Sequence, residues 1–233
     1  DPQIKLTQVT SCATASTCTG TANETKVTLS YDTPNLQPTS VTVAAGDGSI
    51  SETITYVYDA KDNLTSVDGP LAGTDDSEYY FYDSGNRPVG MIGPDPDGAG
   101  SQLRQAARTT YDALGRVTKS ESGTVTAATG SALVSMTVYS ALETTYDSND
   151  RVATETVKGA NGTALSLVQY SYDSEGRLEC TAQRMNPAIY GSLPASACTL
   201  GTQGSYGPDR ITRVHYDAAG RGVREESGVG TAV

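Results

Sequence analysis

Tryptophan is absent from this sequence, phenylalanine occurs once, as Phe81, and methionine only three times. Too few large apolar side chains remain to fill a thick globular interior. There is also no long apolar run, so the sequence contains neither a transmembrane helix nor a signal peptide, and membrane insertion is not expected. Basic residues are few: 16 Lys and Arg against 27 Asp and Glu give a net charge of −11. An acidic chain repels polyphosphates and anionic lipid surfaces, which argues against a nucleic-acid partner or binding to a membrane surface. Histidine occurs once, as His215, in strand register just before Tyr216, and no nucleophile is marked beside it. Asp95-Pro96-Asp97-Gly98 lacks the third spaced ligand and later Glu of a calcium loop and reads as a turn. The adjacent Asp75-Asp76 pair carries no mark of a glycosidase. No Gly-rich phosphate cradle is present. The expectation is no cofactor, no metal and no enzyme.

Four cysteines fall into two local pairs, Cys12 with Cys18 and Cys180 with Cys198. Neither spacing suits a zinc knuckle. Two local disulfides are expected over free thiols, implying an oxidising, extracytoplasmic compartment. On the chain-entropy model the second bridge is worth roughly 3 kcal/mol. The opening Asp1-Pro2-Gln3 is not a natural translation start and reads as part of a larger parent chain. Sequons at Asn23, Asn63 and Asn161 matter only in a source that glycosylates them.

What the sequence does have is tyrosine, 14 of them, with 24 glycines. Seven tyrosines precede an aspartate: Tyr31-Asp32, Tyr58-Asp59, Tyr82-Asp83, Tyr111-Asp112, Tyr146-Asp147, Tyr172-Asp173 and Tyr216-Asp217. In Tyr111 to Val117, Asp112 stands at the first position of a type I turn and Gly115 at the fourth, each the favoured residue there. Across the copies the slot three residues after Asp holds Asn35, Asp62, Asn86, Gly115, Asp150, Gly176 and Gly220. All are types that tolerate positive φ. The next slot reads Leu36, Asn63, Arg87, Arg116, Arg151, Arg177 and Arg221. Its arginines suit pairing with a carboxylate or stacking on a neighbouring Tyr, or alternatively screening of a strand edge.

Upstream of each turn the pattern alternates with period two, as in Ile54, Tyr56 and Tyr58 against Thr53, Thr55 and Val57. Each unit therefore reads as strand, tight turn, strand, loop. One hairpin is marginal in water, so neighbours must pair edge to edge. The expectation is an all-β chain, residues 1–233 forming a single array of tandem hairpins in a continuous antiparallel sheet. Longer loops are expected near 120–138 and 180–208, and no helical period is visible. Two globular domains split near Ser120 are disfavoured because the repeat crosses that point.

The unit Tyr-Asp-x-x-Gly-Arg, as in Tyr111 to Arg116, Tyr172 to Arg177 and Tyr216 to Arg221, resembles the YD repeat of the Rhs family. Relatives of that kind are bacterial Rhs and wall-associated toxins, the C component of insecticidal toxin complexes, and teneurins. The resemblance runs from about Val27 to Arg224. Asp150 and Asn86 replace Gly in two copies. The copies at Asp32 and Asp59 lack the Arg, and the first also places Pro34 in the turn. The resemblance implies a curved or spiralling β-sheet ribbon, part of a hollow shell that encloses a C-terminal toxin or presents an adhesive surface. The family's closing Asp-Pro-x-Gly-Leu motif is missing and no toxin domain fits after Arg224, so the resemblance implies shell wall. The expected function is a non-catalytic structural segment of a secreted or cell-surface protein, partnered by the remainder of its parent chain. The alternatives are an adhesion module that binds a glycan or a surface protein, or an extracellular assembly of copies of itself.

Overall fold

The computed structural model describes residues 4–13, 17–32, 36–98 and 100–230. Fifteen strands form one open sheet whose hydrogen-bonded order is the chain order. They are β1 (Gln8–Cys12), β2 (Glu24–Tyr31), β3 (Pro38–Ala45), β4 (Ser51–Tyr58) and β5 (Leu64–Asp68). Then follow β6 (Glu78–Tyr82), β7 (Pro88–Ile92), β8 (Arg104–Tyr111), β9 (Val117–Val125) and β10 (Thr137–Tyr146). The last are β11 (Val152–Gly159), β12 (Ala164–Tyr172), β13 (Leu178–Arg184), β14 (Arg210–Tyr216) and β15 (Gly222–Ser227). Residues group into two compact units, Asp1–Ala107 with Thr124–Met136, and Arg108–Gly123 with Thr137–Val233.

Every Tyr-Asp pair sits at the end of an even-numbered strand, so its hairpin turns back into the next odd-numbered one. The turn chemistry repeats. The Asp112 N–H donates to the Arg116 carbonyl at 2.9 Å, and the Gly115 N–H donates to the Asp112 carbonyl at 3.0 Å. Asp62, Asn86, Gly115, Asp150, Gly176 and Gly220 all have φ between 64° and 83°, the left-handed region in which a Cβ is strained. A one-residue register shift precedes the tyrosine in the pairs β4–β5, β6–β7, β10–β11, β12–β13 and β14–β15, the bulge expected after such a turn. Because Asn86 already occupies this slot, Gly176→Asn is expected to cost well under 1 kcal/mol and Gly176→Val more than about 1 kcal/mol. Urea melts of the two variants check this, and equal costs would remove the left-handed requirement.

The first copy departs from the rule. Asn35 and Pro34 lie outside the described residues, but Leu36, not a Gly, Asn or Asp, has φ 64°. The Asp32 N–H donates to the Gln37 carbonyl at 3.1 Å, and the Gln37 N–H donates to Asp32 Oδ1 at 3.0 Å. These bonds span five residues where the other copies span four, so this turn is one residue longer. Gln37 therefore takes the place that the sequence alignment gave to Leu36.

Two expected loops are shorter than their sequence suggests. Of 120–138, residues through Val125 continue β9, a five-residue helix α1 covers Gly130–Val134, and β10 begins at Thr137. The polar stretch joins the sheet because its one acid, Glu121, is buried and ion-paired to Arg108 and Lys119, both at 2.8 Å. The absence of any helix is likewise corrected. Thr129 caps α1 by accepting from the Ala132 N–H, and buried Leu133 anchors it over Gly90, where a Cβ would meet Leu133 Cδ2 at 2.4 Å. Of 180–208, Cys180 to Arg184 complete β13, and the remainder, with a 3-10 turn at Pro187–Ile189, lies on the sheet.

That second loop accounts for the core of its unit. Along β12, Leu167 and Gln169 are buried while Val168 and Tyr170 are only half-buried. Alternate residues point to opposite faces, so one face bears the tyrosines and the other bears the loop. Gln169 donates to the Pro194 carbonyl at 2.9 Å, and Ser171 Oγ accepts from the Ala197 N–H at 2.7 Å. Cys180, Ala182, Ala197 and Ile211 pack together beneath. Cys180–Cys198 and Cys12–Cys18 are both disulfides, with Cα atoms 5.3 and 5.7 Å apart, as a chain folded in an oxidising environment forms them.

Candidate functional site

Within each compact unit the motif residues form a ladder that locks one hairpin to the one before it. Within a copy, the aspartate Oδ1 accepts from the backbone N–H two and four residues on: at Asp173 these are Glu175 at 3.0 Å and Arg177 at 2.9 Å. Oδ2 takes the arginine Nε, at 2.7 to 2.8 Å for Arg87, Arg116, Arg151, Arg177 and Arg221. Held in this way, the guanidinium lies over the tyrosine of the following copy in three cases. Arg116 covers Tyr146 and Arg151 covers Tyr172, both at 4.3 Å to the ring centroid, and Arg177 covers Tyr216 at 4.5 Å. The arginines thus both pair and stack, and the edge-screening alternative is set aside for these three.

The tyrosine hydroxyl completes the rung by donating to the carbonyl of the residue after that same arginine. Tyr146 reaches Val117 at 2.7 Å, Tyr172 reaches Val152 at 2.9 Å and Tyr216 reaches Leu178 at 2.8 Å. Tyr82 does the same to Leu64 at 3.0 Å and Tyr58 to Pro38 at 3.1 Å. Where arginine is missing, substitutes appear. Asn63 Nδ2 donates to Asp59 Oδ2 at 2.9 Å, and Lys5 stands 5.0 Å over Tyr31, whose hydroxyl donates to the Leu6 carbonyl at 2.7 Å. Sequence reasoning found the residues but not this reach from copy to copy. The signal lay in the tyrosine, which a turn alone does not require.

The ladder depends on ionised carboxylates. The Arg87 and Arg221 backbone N–H groups, then their guanidinium groups, hold Asp83 and Asp217 below the ordinary carboxylate range. At Asp147 the Arg151 guanidinium leads, and at Asp59 the Asn63 amide does. Folded-state values below the unfolded ones stabilise the fold above the unfolded pKa of about 4 and lose that contribution as pH falls through the folded values. Urea midpoints are therefore expected to hold between pH 7 and 5 and to fall below about pH 4. Asp147→Asn is expected to make that fall shallower, and an identical acid profile for the variant would count against the ladder. Tyr172→Phe keeps the ring under Arg151 and removes one hydrogen bond, for an expected loss of about 1 kcal/mol. An unchanged urea midpoint would show that the hydroxyl holds nothing.

The other residues weighed in the sequence have local partners. His215 Nε2 lies 2.9 Å from Glu226 Oε2 across β14–β15. Asp95 pairs with Arg104 Nε at 3.5 Å, and Asp76 Oδ2 accepts from the Leu71 N–H at 2.8 Å. Among the described residues no cluster of His, Cys, Asp or Glu is arranged to hold a metal ion, and no helix is long and apolar enough to cross a membrane.

Two buried arginines escaped the sequence reading. Arg104 Nη1 donates to the Gly93 carbonyl at 3.0 Å and Nη2 to the Thr74 carbonyl at 3.2 Å, tying together the loops that follow β5 and β7. Arg184 is fully buried and pairs with buried Asp209 at 2.6 Å. Burial alone would raise the Asp209 carboxyl, but bonds from the Met185 N–H, Arg184 and the Gly201 N–H hold it below its ordinary value. The small residues Cys180 and Ala182, alternating along β13 ahead of Arg184, were the available sign that this arginine continues a buried face.

No protein-family model and no curated protein matches the chain. Among solved structures it is similar to a chain of the Photorhabdus luminescens Tc holotoxin pore, at 14% identity and TM-score 0.40, covering 86% of this chain and 10% of that one. It is likewise similar to a chain of a TcdB2–TccC3–Cdc42 structure, at 14% identity and TM-score 0.41, covering 87% and 10%. A chain of a TcdB2–TccC3–TEV structure gives 14% identity and TM-score 0.36, covering 90% and 13%. The chain spans between 10% and 13% of the length of these solved chains.

Proposed function

We propose that this chain is a non-catalytic wall segment of a larger secreted or cell-surface protein, in which tyrosine-aspartate hairpins build a β-sheet shell around, or presenting, a C-terminal toxin. The supporting observation is how the motif residues are used. Tyrosine, aspartate and arginine, the groups best suited to binding or chemistry, are spent on joining one hairpin to the next, as in Arg151 over Tyr172. Such residues extend a surface. The two disulfides suit a wall that works outside the cytoplasm.

The test uses the parent polypeptide that carries this segment. Its C-terminal domain is expected to resist protease in the intact chain and to be cut readily once the sheet is unfolded by acid. A C-terminal domain cut equally fast in both states would overturn the wall reading.

A further inference from the structure

Of the arginines, all of which lie among the described residues, Arg87, Arg104, Arg108, Arg116, Arg151, Arg177, Arg184, Arg213, Arg221 and Arg224 are each ion-paired to a carboxylate. Arg210 alone is exposed with no carboxylate partner among the described residues, in a chain of net charge −11. It opens β14 opposite Gln183 and lines a cleft of about 600 Å3 between the start of β12, the end of β13 and the loop that follows. Leu165, Met185, Pro187, Tyr190 and Tyr206 line that cleft with it. Leu165 and Tyr206 are 63% and 69% exposed, so both are open to a ligand from solvent.

The walls are pinned from beneath. Arg184 bonds Gln169, Thr199, Ser196 and Asp209. Asp209, the residue before Arg210, is also held by the Met185 and Gly201 N–H groups. The Tyr190 hydroxyl donates to the Arg184 carbonyl at 3.0 Å. A site whose supports are fixed in advance loses little on ordering when it binds.

We propose that this cleft binds a small acidic sugar, with its carboxylate on Arg210 and its apolar ring face against Tyr206. A guanidinium has only donors and matches a carboxylate with two parallel bonds. Tyrosine offers a flat apolar face with a polar tip. Thr163 and Ser166 also line the cleft, and hydroxyl side chains suit a sugar's ring hydroxyls. The volume lies within the usual range for a small-molecule site. The site stands independently of the wall reading, since a wall can carry it, and its failure leaves that reading untouched.

Methyl β-glucuronide and methyl β-glucoside, titrated into the full chain and followed by NMR, test the proposal. The glucuronide is expected to bind with a Kd of about 1 mM and the glucoside at least about tenfold more weakly. Arg210→Gln is expected to weaken glucuronide binding by about tenfold or more with melting unchanged, and Tyr206→Ala to weaken it as well. Equal affinities for the two sugars, undiminished binding by Arg210→Gln, or acetate binding as tightly as the glucuronide would each overturn it. So would the absence of binding by glucuronide, galacturonide and sialoside at about 10 mM.

Discussion

Arg184→Ala is expected to cost about 3 to 5 kcal/mol, the largest loss from any single substitution considered for this chain. The side chain is fully buried, so the change does more than delete an ion pair. It leaves the Asp209 carboxylate, 3% exposed, without its counter-charge. It also strips a donor from the Thr199 and Ser196 carbonyls and two from Gln169 Oε1. An unpaired buried charge is the costly outcome, because the desolvation is kept and the attraction lost. Removing both partners should therefore be less harmful than the sum of the two single losses. Urea melts of Arg184→Ala, Asp209→Asn and Arg184→Ala/Asp209→Asn form the cycle that reads this coupling. If Arg184→Ala fails to fold, Asp209→Asn still gives a measurable loss, expected at pH 7 and shrinking as acid protonates the wild-type carboxyl. A total cost under about 1 kcal/mol for Arg184→Ala would mean the network is incidental.

Removing the second disulfide, by Cys180→Ala with Cys198→Ala, is expected to cost about 3 kcal/mol and to lower the melting temperature by about 6 to 12 °C. The bridge closes a separation of 18 residues, and a longer closed loop means more unfolded-state freedom removed. The Cys12–Cys18 bridge, with a separation of 6, should be worth about 2 kcal/mol by the same reasoning. The difference is sharpened by packing. Cys180 is fully buried against Ala182, Ala197 and Ile211, while the whole of β1 through Cys12 is exposed. Calorimetry of the two double variants should rank them in that order. Equal melting temperatures for wild type and the Cys180/Cys198 variant would show that the buried arginine network holds the loop unaided.

Much of this architecture is legible in the sequence, for a physical reason. A type I turn with a left-handed closing residue admits few side chains, so Asp112 and Gly115, or Asp83 and Asn86, announce it locally. Alternation likewise reveals that Ile54, Tyr56 and Tyr58 share a face. What period two does not disclose is which face another segment covers. Leu167 and Gln169 alternate no differently from Val168 and Tyr170, yet one pair lies under a loop. The partners of Arg184 come from positions 12 to 25 residues distant, a choice made by the folded loop and not by local pattern. The extra residue in the first turn was equally hidden, since Asn35 fitted the expected slot by type alone.

The reach of each tyrosine has a temporal side. Tyr58, Tyr82, Tyr146, Tyr172 and Tyr216 dock on carbonyls that lie 18 to 38 residues earlier in the chain. None of these waits for a segment still to be made. As a polypeptide leaves the ribosome, or threads out of a secretion channel amino end first, each of these five hairpins meets a berth already assembled by its predecessor. Arg116, Arg151 and Arg177 each then wait over the place where the next tyrosine docks. Such a sheet can be laid down in the direction of synthesis, and its exposed growing edge is never more than one hairpin wide.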